Sequence, residues 1–121
     1  MPTDDYHVIV FKVLLYLYGV LKRNIRYEEE TFQAVLEKQE ISNEYFYDVL
    51  NMMEKDGLIE NVKFIKAWGG DVILVSDLKD MKITPKGIEY LKENSMMQKI
   101  KDGFSETIGL VGNLIQIVKF K

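Results

Sequence analysis

Apolar positions at helical spacing predict three helices in the first half of the chain. The first runs from a cap at Thr3 or Asp4 to about Arg23. It is apolar over most of its circumference, which indicates burial on more than one side. The second runs from about Glu28 to Lys38 behind three leading glutamates, which suit the positive end of a helix.

The third predicted helix has a start signal, a buried stripe and a stop signal. Ser42 is an N-cap, because its hydroxyl can accept from free N–H groups of the first turn. Gly57 can take the left-handed conformation that ends a helix, which places Leu58 against the last turn. Between them, the residues that recur at helical spacing on one face are Phe46, Val49, Leu50 and Met53.

Short strands are predicted after Gly57. The pattern indicates one strand over Leu58–Trp68, a glycine turn, a short buried strand over Val72–Val75 and a third strand near Met81–Ile83. Thr84–Pro85 then opens a fourth helix, with threonine at the cap and proline at the first helical position. Helices followed by a hairpin predict an α+β domain.

The remaining stretch predicts a long apolar helix, which divides the chain into a domain over 1–94 and a C-terminal helix over 95–121. This helix either folds back on the wide apolar face of the first helix or pairs with a second copy. Large apolar surfaces usually mark interfaces and symmetric dimers are common, so we expect a homodimer. The candidate contact residues are Phe104, Ile108, Val111, Leu114, Ile115 and Val118.

Two segments carry a resemblance to a known fold and family. These are Glu54-Lys55-Asp56-Gly57-Leu58-Ile59 and Ile83-Thr84-Pro85-Lys86-Gly87-Ile88-Glu89-Tyr90-Leu91. They look like the matching parts of many bacterial winged-helix proteins, and the chain resembles the YjcQ family of small bacterial and prophage-borne proteins over about residues 5 to 105. The resemblance implies a winged helix-turn-helix with a C-terminal helical extension, and it brings no activity with it.

Composition narrows the chemistry. The chain of 121 residues has no cysteine, which excludes disulfides and thiolate chemistry. Its longest apolar run, 8–21, is interrupted by Lys12 and is too short to span a membrane, so we expect a cytoplasmic protein without membrane contact. His7 is the only histidine and is read as structural or solvated. No nucleophile, metal-ligand or phosphate-loop pattern is visible, so we predict no enzyme, no catalytic residue, no metal and no cofactor.

The predicted third helix lies in the most negative part of the chain. Nine acidic and two basic residues lie between Glu28 and Asp56, which gives this segment a net charge of −7 and leaves +4 elsewhere. In a DNA-binding winged helix the exposed face of the third helix enters the major groove. Here that face offers Asn43, Glu44, Tyr47, Asp48 and Asn51, which either contact bases or form a solvated polar surface.

Basic candidates lie in two other places. Lys63, Lys66 and Trp68 form a predicted patch near the wing tip, where an aromatic ring can stack on bases. The alternative for Trp68 is that it covers the core from the end of a strand. Arg23 and Arg26 in the connector either hold a phosphate backbone or offset the neighbouring glutamates.

The leading functional hypothesis is therefore a dimeric DNA-binding regulator of bacterial or prophage origin, with duplex DNA as its partner. The alternative is a winged-helix protein–protein interaction module that binds no DNA and whose acidic face takes a basic protein partner. A structural accessory protein is a third class.

Overall fold

The computed structural model describes residues 6–36, 41–70 and 72–93, and the structural statements below concern these residues. They form an α+β arrangement with four helices and small antiparallel sheets. The elements in chain order are α1 (Tyr6–Leu21), α2 (Glu29–Leu36), α3 (Asn43–Lys55), β1 (Ile59–Glu60), β2 (Phe64–Lys66), β3 (Val72–Leu74), a 3-10 turn (Leu78–Asp80), β4 (Lys82–Ile83) and α4 (Pro85–Glu93). The four predicted helices of this region are confirmed. The predicted C-terminal helix and its six dimer candidates lie outside the described residues.

The first helix is the centre of the core. Every residue of α1 from Val8 to Leu17 is buried, and the helix contacts α2, α3, α4 and β4. Even Lys12 is only 6% exposed. The predicted wide apolar face is therefore confirmed, and neighbouring elements of the same chain pack on it.

The ends of α3 form as predicted. Ser42 Oγ accepts from the Tyr45 backbone N–H at 3.2 Å. At the other end, Leu58 N donates to Met53 O at 2.9 Å and Gly57 N to Glu54 O at 3.0 Å. With Gly57 at φ +79°, these two bonds define a Schellman stop. The four residues predicted for its inner face, Phe46, Val49, Leu50 and Met53, are all buried.

The single strand predicted over Leu58–Trp68 is wrong, because the backbone turns at Asn61. This residue has φ +64°, in the left-handed region that asparagine tolerates better than most residues. The turn separates β1, which pairs antiparallel with β4, from β2, which pairs antiparallel with β3. The result is two two-stranded sheets instead of one sheet.

The strand predicted as buried over Val72–Val75 is instead half-exposed. Val72 and Leu74 are half-buried, whereas Ile73 is 43% and Val75 53% exposed. A continuous apolar run was the sequence signal for burial on both faces. Only one face of the β2–β3 hairpin packs on the core, so the prediction of burial on both faces is wrong.

The two segments that carry the family resemblance meet in space. Thr84 N donates to Leu58 O at 3.1 Å, and Thr84 Oγ1 donates to Gly57 O. The same hydroxyl accepts from Gly87 N at 3.0 Å, which confirms Thr84 as the cap of α4. The stop of α3 and the start of α4 are thus joined by one threonine.

Candidate functional site

The connector between α1 and α2 is held by Tyr16. Its hydroxyl accepts from Glu28 N at 3.0 Å and lies within 3.4 Å of the carbonyl oxygens of Arg26 and Glu28. Burial raises the pKa of Tyr16, which keeps the hydroxyl protonated and able to donate. The side chain of Arg26 is exposed, as is that of Arg23, whose backbone has φ +63°. Both connector arginines are therefore presented to solvent.

The outer face of α3 is less polar and less open than predicted. Asn43, Glu44 and Asp48 are exposed, but Tyr47 and Asn51 are half-buried. The ring of Tyr47 lies 5.9 Å from that of Phe46 and 6.1 Å from that of Phe64, measured between centroids. Tyr47 thus joins α3 to the hairpin.

Two large apolar residues share the exposed surface of α3. Tyr45 is 36% and Met52 48% exposed, beside the carboxylates of Glu44 and Asp48. The face for which the sequence left open base contact or a solvated polar surface therefore presents apolar groups beside its acidic ones. A negatively charged face opposes the approach of phosphates.

The tip of the β2–β3 hairpin presents Trp68. Its side chain is 100% exposed, so the alternative that it covers the core is excluded. Ala67 O accepts from Gly70 N at 3.0 Å and closes the turn. An indole with no protein contact is available to a partner.

The hairpin has an inner and an outer face. Phe64 and Leu74 are register partners that pack on the core, on the side where Tyr47 of α3 lies. The next pair, Ile65 and Ile73, points the other way because side chains alternate along strands, and Ile65 is 54% exposed. The outer face is therefore apolar and open.

A polar hollow lies at the base of the hairpin. It has a volume of about 460 Å³, and its lining residues are Asn61, Lys63, Ser76, Lys79, Asp80 and Lys82. Ser76 Oγ accepts from the backbone N–H of Lys63 at 2.9 Å, which fixes the strand end in the hollow. Three lysines therefore surround one depression.

A second depression shares a lysine with this hollow. It has a volume of about 170 Å³ and is lined by Leu17, Val20, Leu21, Arg23, Met81, Lys82 and Ile83. Lys82 lines both depressions, so it connects Arg23 on one side with Lys63 and Lys79 on the other. We call Arg23, Lys63, Lys79 and Lys82 the basic strip.

The structure divides the predicted wing patch. Trp68 and Lys66 lie at the hairpin tip, whereas Lys63 lies at its base in the hollow. Lys79 and Lys82 were not singled out from the sequence, because a polar loop and a short strand are weak signals. They lie near Lys63 because β4 pairs with β1, which ends three residues before Lys63, and the 3-10 turn directly precedes β4.

Three observations concern clusters of possible metal ligands, the single histidine and the helices of the described ranges. Within residues 6–36, 41–70 and 72–93, no group of three histidine, cysteine, aspartate or glutamate side chains is placed to hold a metal ion. His7 Nδ1 lies 3.3 Å from Tyr90 Oη. Of the helices in these ranges, none has the length and hydropathy that crossing a membrane requires.

The fold and its surfaces define an α+β protein with four helices and two small antiparallel sheets in the described part, compatible with a winged helix. The chain belongs to the YjcQ family: the family model described as YjcQ protein matches residues 11–107. The match includes both described motif segments and Phe104, and it ends before the other five dimer candidates. No curated protein and no solved structure matches the chain.

Proposed function

We propose that this protein is a winged-helix, DNA-binding regulator in which the β2–β3 hairpin is the wing. The order of three helices, a hairpin, a returning strand and a fourth helix supports this reading. In this reading the capped α3, with its Schellman stop, is the third helix of the fold. Duplex DNA is the proposed partner.

The observation that carries the proposal is the exposed hairpin tip. Trp68 is fully exposed at the end of a hairpin whose inner face alone packs on the core. Lys66, two residues away, is exposed as well. Wings contact nucleic acid at such a tip, where lysine meets phosphate and an aromatic ring meets sugars or bases.

Trp68 also supplies the test, because it is the only tryptophan of the chain. Its fluorescence should change when duplex DNA is titrated into the protein at low salt, in parallel with the anisotropy of labelled DNA. Trp68→Ala should weaken binding, and Lys92→Gln on the exposed side of α4 serves as the control. The proposal is rejected if no binding is seen at low salt, where phosphate contacts contribute most.

A specific observation favours a second candidate, a protein-interaction module. Ile65, Ile73 and Val75 are all between 43% and 54% exposed on the outer face of one hairpin. Contiguous exposed apolar residues are typical of protein interfaces. In this case the hairpin would contact an apolar protein surface, and the acidic face of α3 would take a basic partner.

The two candidates predict different responses to the same variants. Ile65→Thr with Ile73→Thr removes apolar surface without changing charge, so it should abolish a protein contact and leave the salt dependence of DNA binding unchanged. Lys66→Gln removes a charge but no apolar surface, so it should leave the protein contact intact and reduce the salt dependence of DNA binding. Crosslinking of partners before and after each change, together with the DNA titration, separates them.

The homodimer is likewise a proposal. In the described structure α1 is already covered by elements of its own chain, so its wide apolar face is not left over for a partner. Support for a dimer therefore comes from the apolar pattern of residues 104–118 alone.

A further inference from the structure

The basic strip and the outer face of α3 lie on opposite sides of the hairpin. Phe64 and Leu74 face α3, where the ring of Tyr47 contacts that of Phe64. Lys63 O accepts from Val75 N at 3.0 Å, so Lys63 and Val75 continue the ladder and, by alternation, point away from α3 with Ile65 and Ile73. A partner that contacts Lys63 is therefore separated from α3 by the hairpin.

Arg23, Lys79 and Lys82 extend the side on which Lys63 lies. Lys82 lines both depressions, with Arg23 in one and with Lys63 and Lys79 in the other. All four side chains of the basic strip are exposed. They come from the connector, the hairpin base, the 3-10 turn and β4, so the fold assembles them from four separate segments.

Carboxylates beside the basic strip disfavour ligands whose phosphate groups each carry more than one negative charge. Asp80 lines the hollow, Asp77 Oδ2 lies 3.8 Å from Lys79 Nζ, and Glu60 is the register partner of Lys82. Four cations and these three carboxylates give a net charge of +1. A phosphodiester carries one negative charge, whereas a phosphomonoester carries nearly two at neutral pH. The charge balance thus favours singly charged phosphate groups, such as the phosphodiesters of a nucleic acid, over phosphomonoesters.

We propose that the basic strip, in addition to Lys66 at the hairpin tip and in place of the outer face of α3, holds the phosphates of bound DNA, and that it does so without reading bases. This inference rests on the proposed DNA-binding function and names the side of the molecule that performs it. The surface of α3 stays away from the groove, because Glu44 and Asp48 oppose phosphates and the hairpin separates α3 from the strip. Binding of this kind is sequence-independent, since phosphate contacts carry no sequence information directly.

The test compares matched variants in which a lysine is replaced by neutral glutamine. Each variant of the full chain is titrated with salt in the presence of two DNA duplexes of unrelated sequence. The slope of log affinity against log salt is negative, and each lost phosphate contact should reduce its magnitude by about 0.9. Lys79→Gln with Lys82→Gln should therefore reduce this magnitude by about 2 and weaken binding roughly tenfold or more. Lys55→Gln, at another exposed lysine near the end of α3, is the control and should leave both quantities unchanged.

A gain of affinity provides a second readout that loss of structure cannot imitate. Asp80→Asn removes a carboxylate from the hollow, so it should tighten binding by roughly fourfold, as expected for one repulsive charge about 5 Å from a phosphate in water. The wild-type protein should bind the two duplexes with equal affinity within experimental error.

The outcomes separate the two proposals. If the wild type binds neither duplex at low salt, DNA binding and the strip are both overturned. If it binds but Lys55→Gln reduces the magnitude of the slope as much as the double variant, or Asp80→Asn does not tighten binding, the strip is wrong and DNA binding stands. A clear preference for one duplex that Asn51→Ala removes would place α3 in the groove and overturn the sequence-independent contact.

Discussion

Gly87 lies where α4 packs tightly against Leu58 and Ile83. A Cβ at this position would overlap Leu58 O, would lie 2.8 Å from Ile83 Cγ1 and would lie 3.3 Å from Leu14 Cδ2. The carbonyl group belongs to the backbone and accepts from Thr84 N, so it cannot move without loss of that bond. The glycine therefore serves helix–strand contact, although it lowers helix propensity.

Gly87→Ala should destabilise the protein despite the better helix propensity of alanine. Alanine gains about 1 kcal/mol in a helix interior, whereas overpacking against a backbone atom costs about 1–3 kcal/mol and more when the atom cannot move. We expect a net loss of about 1–2 kcal/mol in the free energy of unfolding. Urea denaturation measures it, with Glu89→Ala on the exposed side of α4 as the control. Equal stability of the two variants would mean that α4 can shift away from Leu58.

The tyrosines around the connector make stability depend on alkaline pH. Burial raises the pKa of Tyr27, and the charge of Glu29, whose Oε1 accepts from Tyr27 Oη at 3.1 Å, raises it further. Burial also raises the pKa of Tyr16. In the unfolded chain tyrosine titrates near pH 10. The folded state favours the protonated form, so this contribution is complete below about pH 10 and is lost as pH rises through the folded pKa values.

Tyr27→Phe should therefore flatten the loss of stability above about pH 10. At neutral pH the variant should be less stable by about 1 kcal/mol or less, because only an exposed hydrogen bond is removed. Glu29→Gln should flatten the profile less than Tyr27→Phe, since burial is the larger cause of the raised pKa. Urea denaturation at a series of pH values provides the comparison. An unchanged alkaline slope in Tyr27→Phe would show that other groups produce it.

At the element scale, the turn at Asn61 separates the β2–β3 hairpin from the β1–β4 pair. It ends β1 after Glu60 and lets β2 start at Phe64 with a different partner strand.

Asn61→Gly and Asn61→Val should have different effects on stability. Glycine adopts positive φ without a steric cost, so the first change should alter the free energy of unfolding by only a few tenths of a kcal/mol. A β-branched residue at φ +64° clashes with its own backbone, and we expect a loss of about 1–2 kcal/mol. Thermal unfolding of both variants tests this. Equal stability would mean that the backbone at residue 61 relaxes to negative φ.

The elements with local signals were predictable from the sequence, and those set by long-range pairing were not. The caps at Ser42 and Thr84 and the stop at Gly57 use bonds to residues nearby in the chain, so these roles followed from spacing. The bonds of Thr84 to Gly57 and Leu58 are long-range and did not. The division of the strand at Asn61 and the pairing of β1 with β4 depend on contacts across more than 20 residues. Lys63 lies in a segment whose strand signal is local, so the sequence pointed to it. Lys79 and Lys82 come near Lys63 only through the long-range pairing of β1 with β4, so the sequence did not point to them.

The whole molecule is organised so that α1 lies inside a single chain. Val8 to Leu17 are buried on all sides, and the contacts of α1 reach α2, α3, α4 and β4. A dimer that pairs α1 with its copy would have to displace those neighbours. If the protein is a homodimer, the contact must therefore come from elsewhere, and residues 104–118 carry the apolar pattern for it.

We expect the wild-type chain to have twice the monomer mass in light scattering and Leu114→Lys with Val118→Lys to have the monomer mass. Two charges placed on the predicted apolar stripe would have to be buried in a dimer, and unpaired buried charges are strongly disfavoured. Gln116→Lys, which adds a charge between them but off the stripe, is the control and should stay dimeric. If the segment packs on its own chain instead, the double variant should lower the free energy of unfolding while the mass of the wild type is already that of a monomer. That result would reject the dimer. The tail would then belong to the same core that α1 organises.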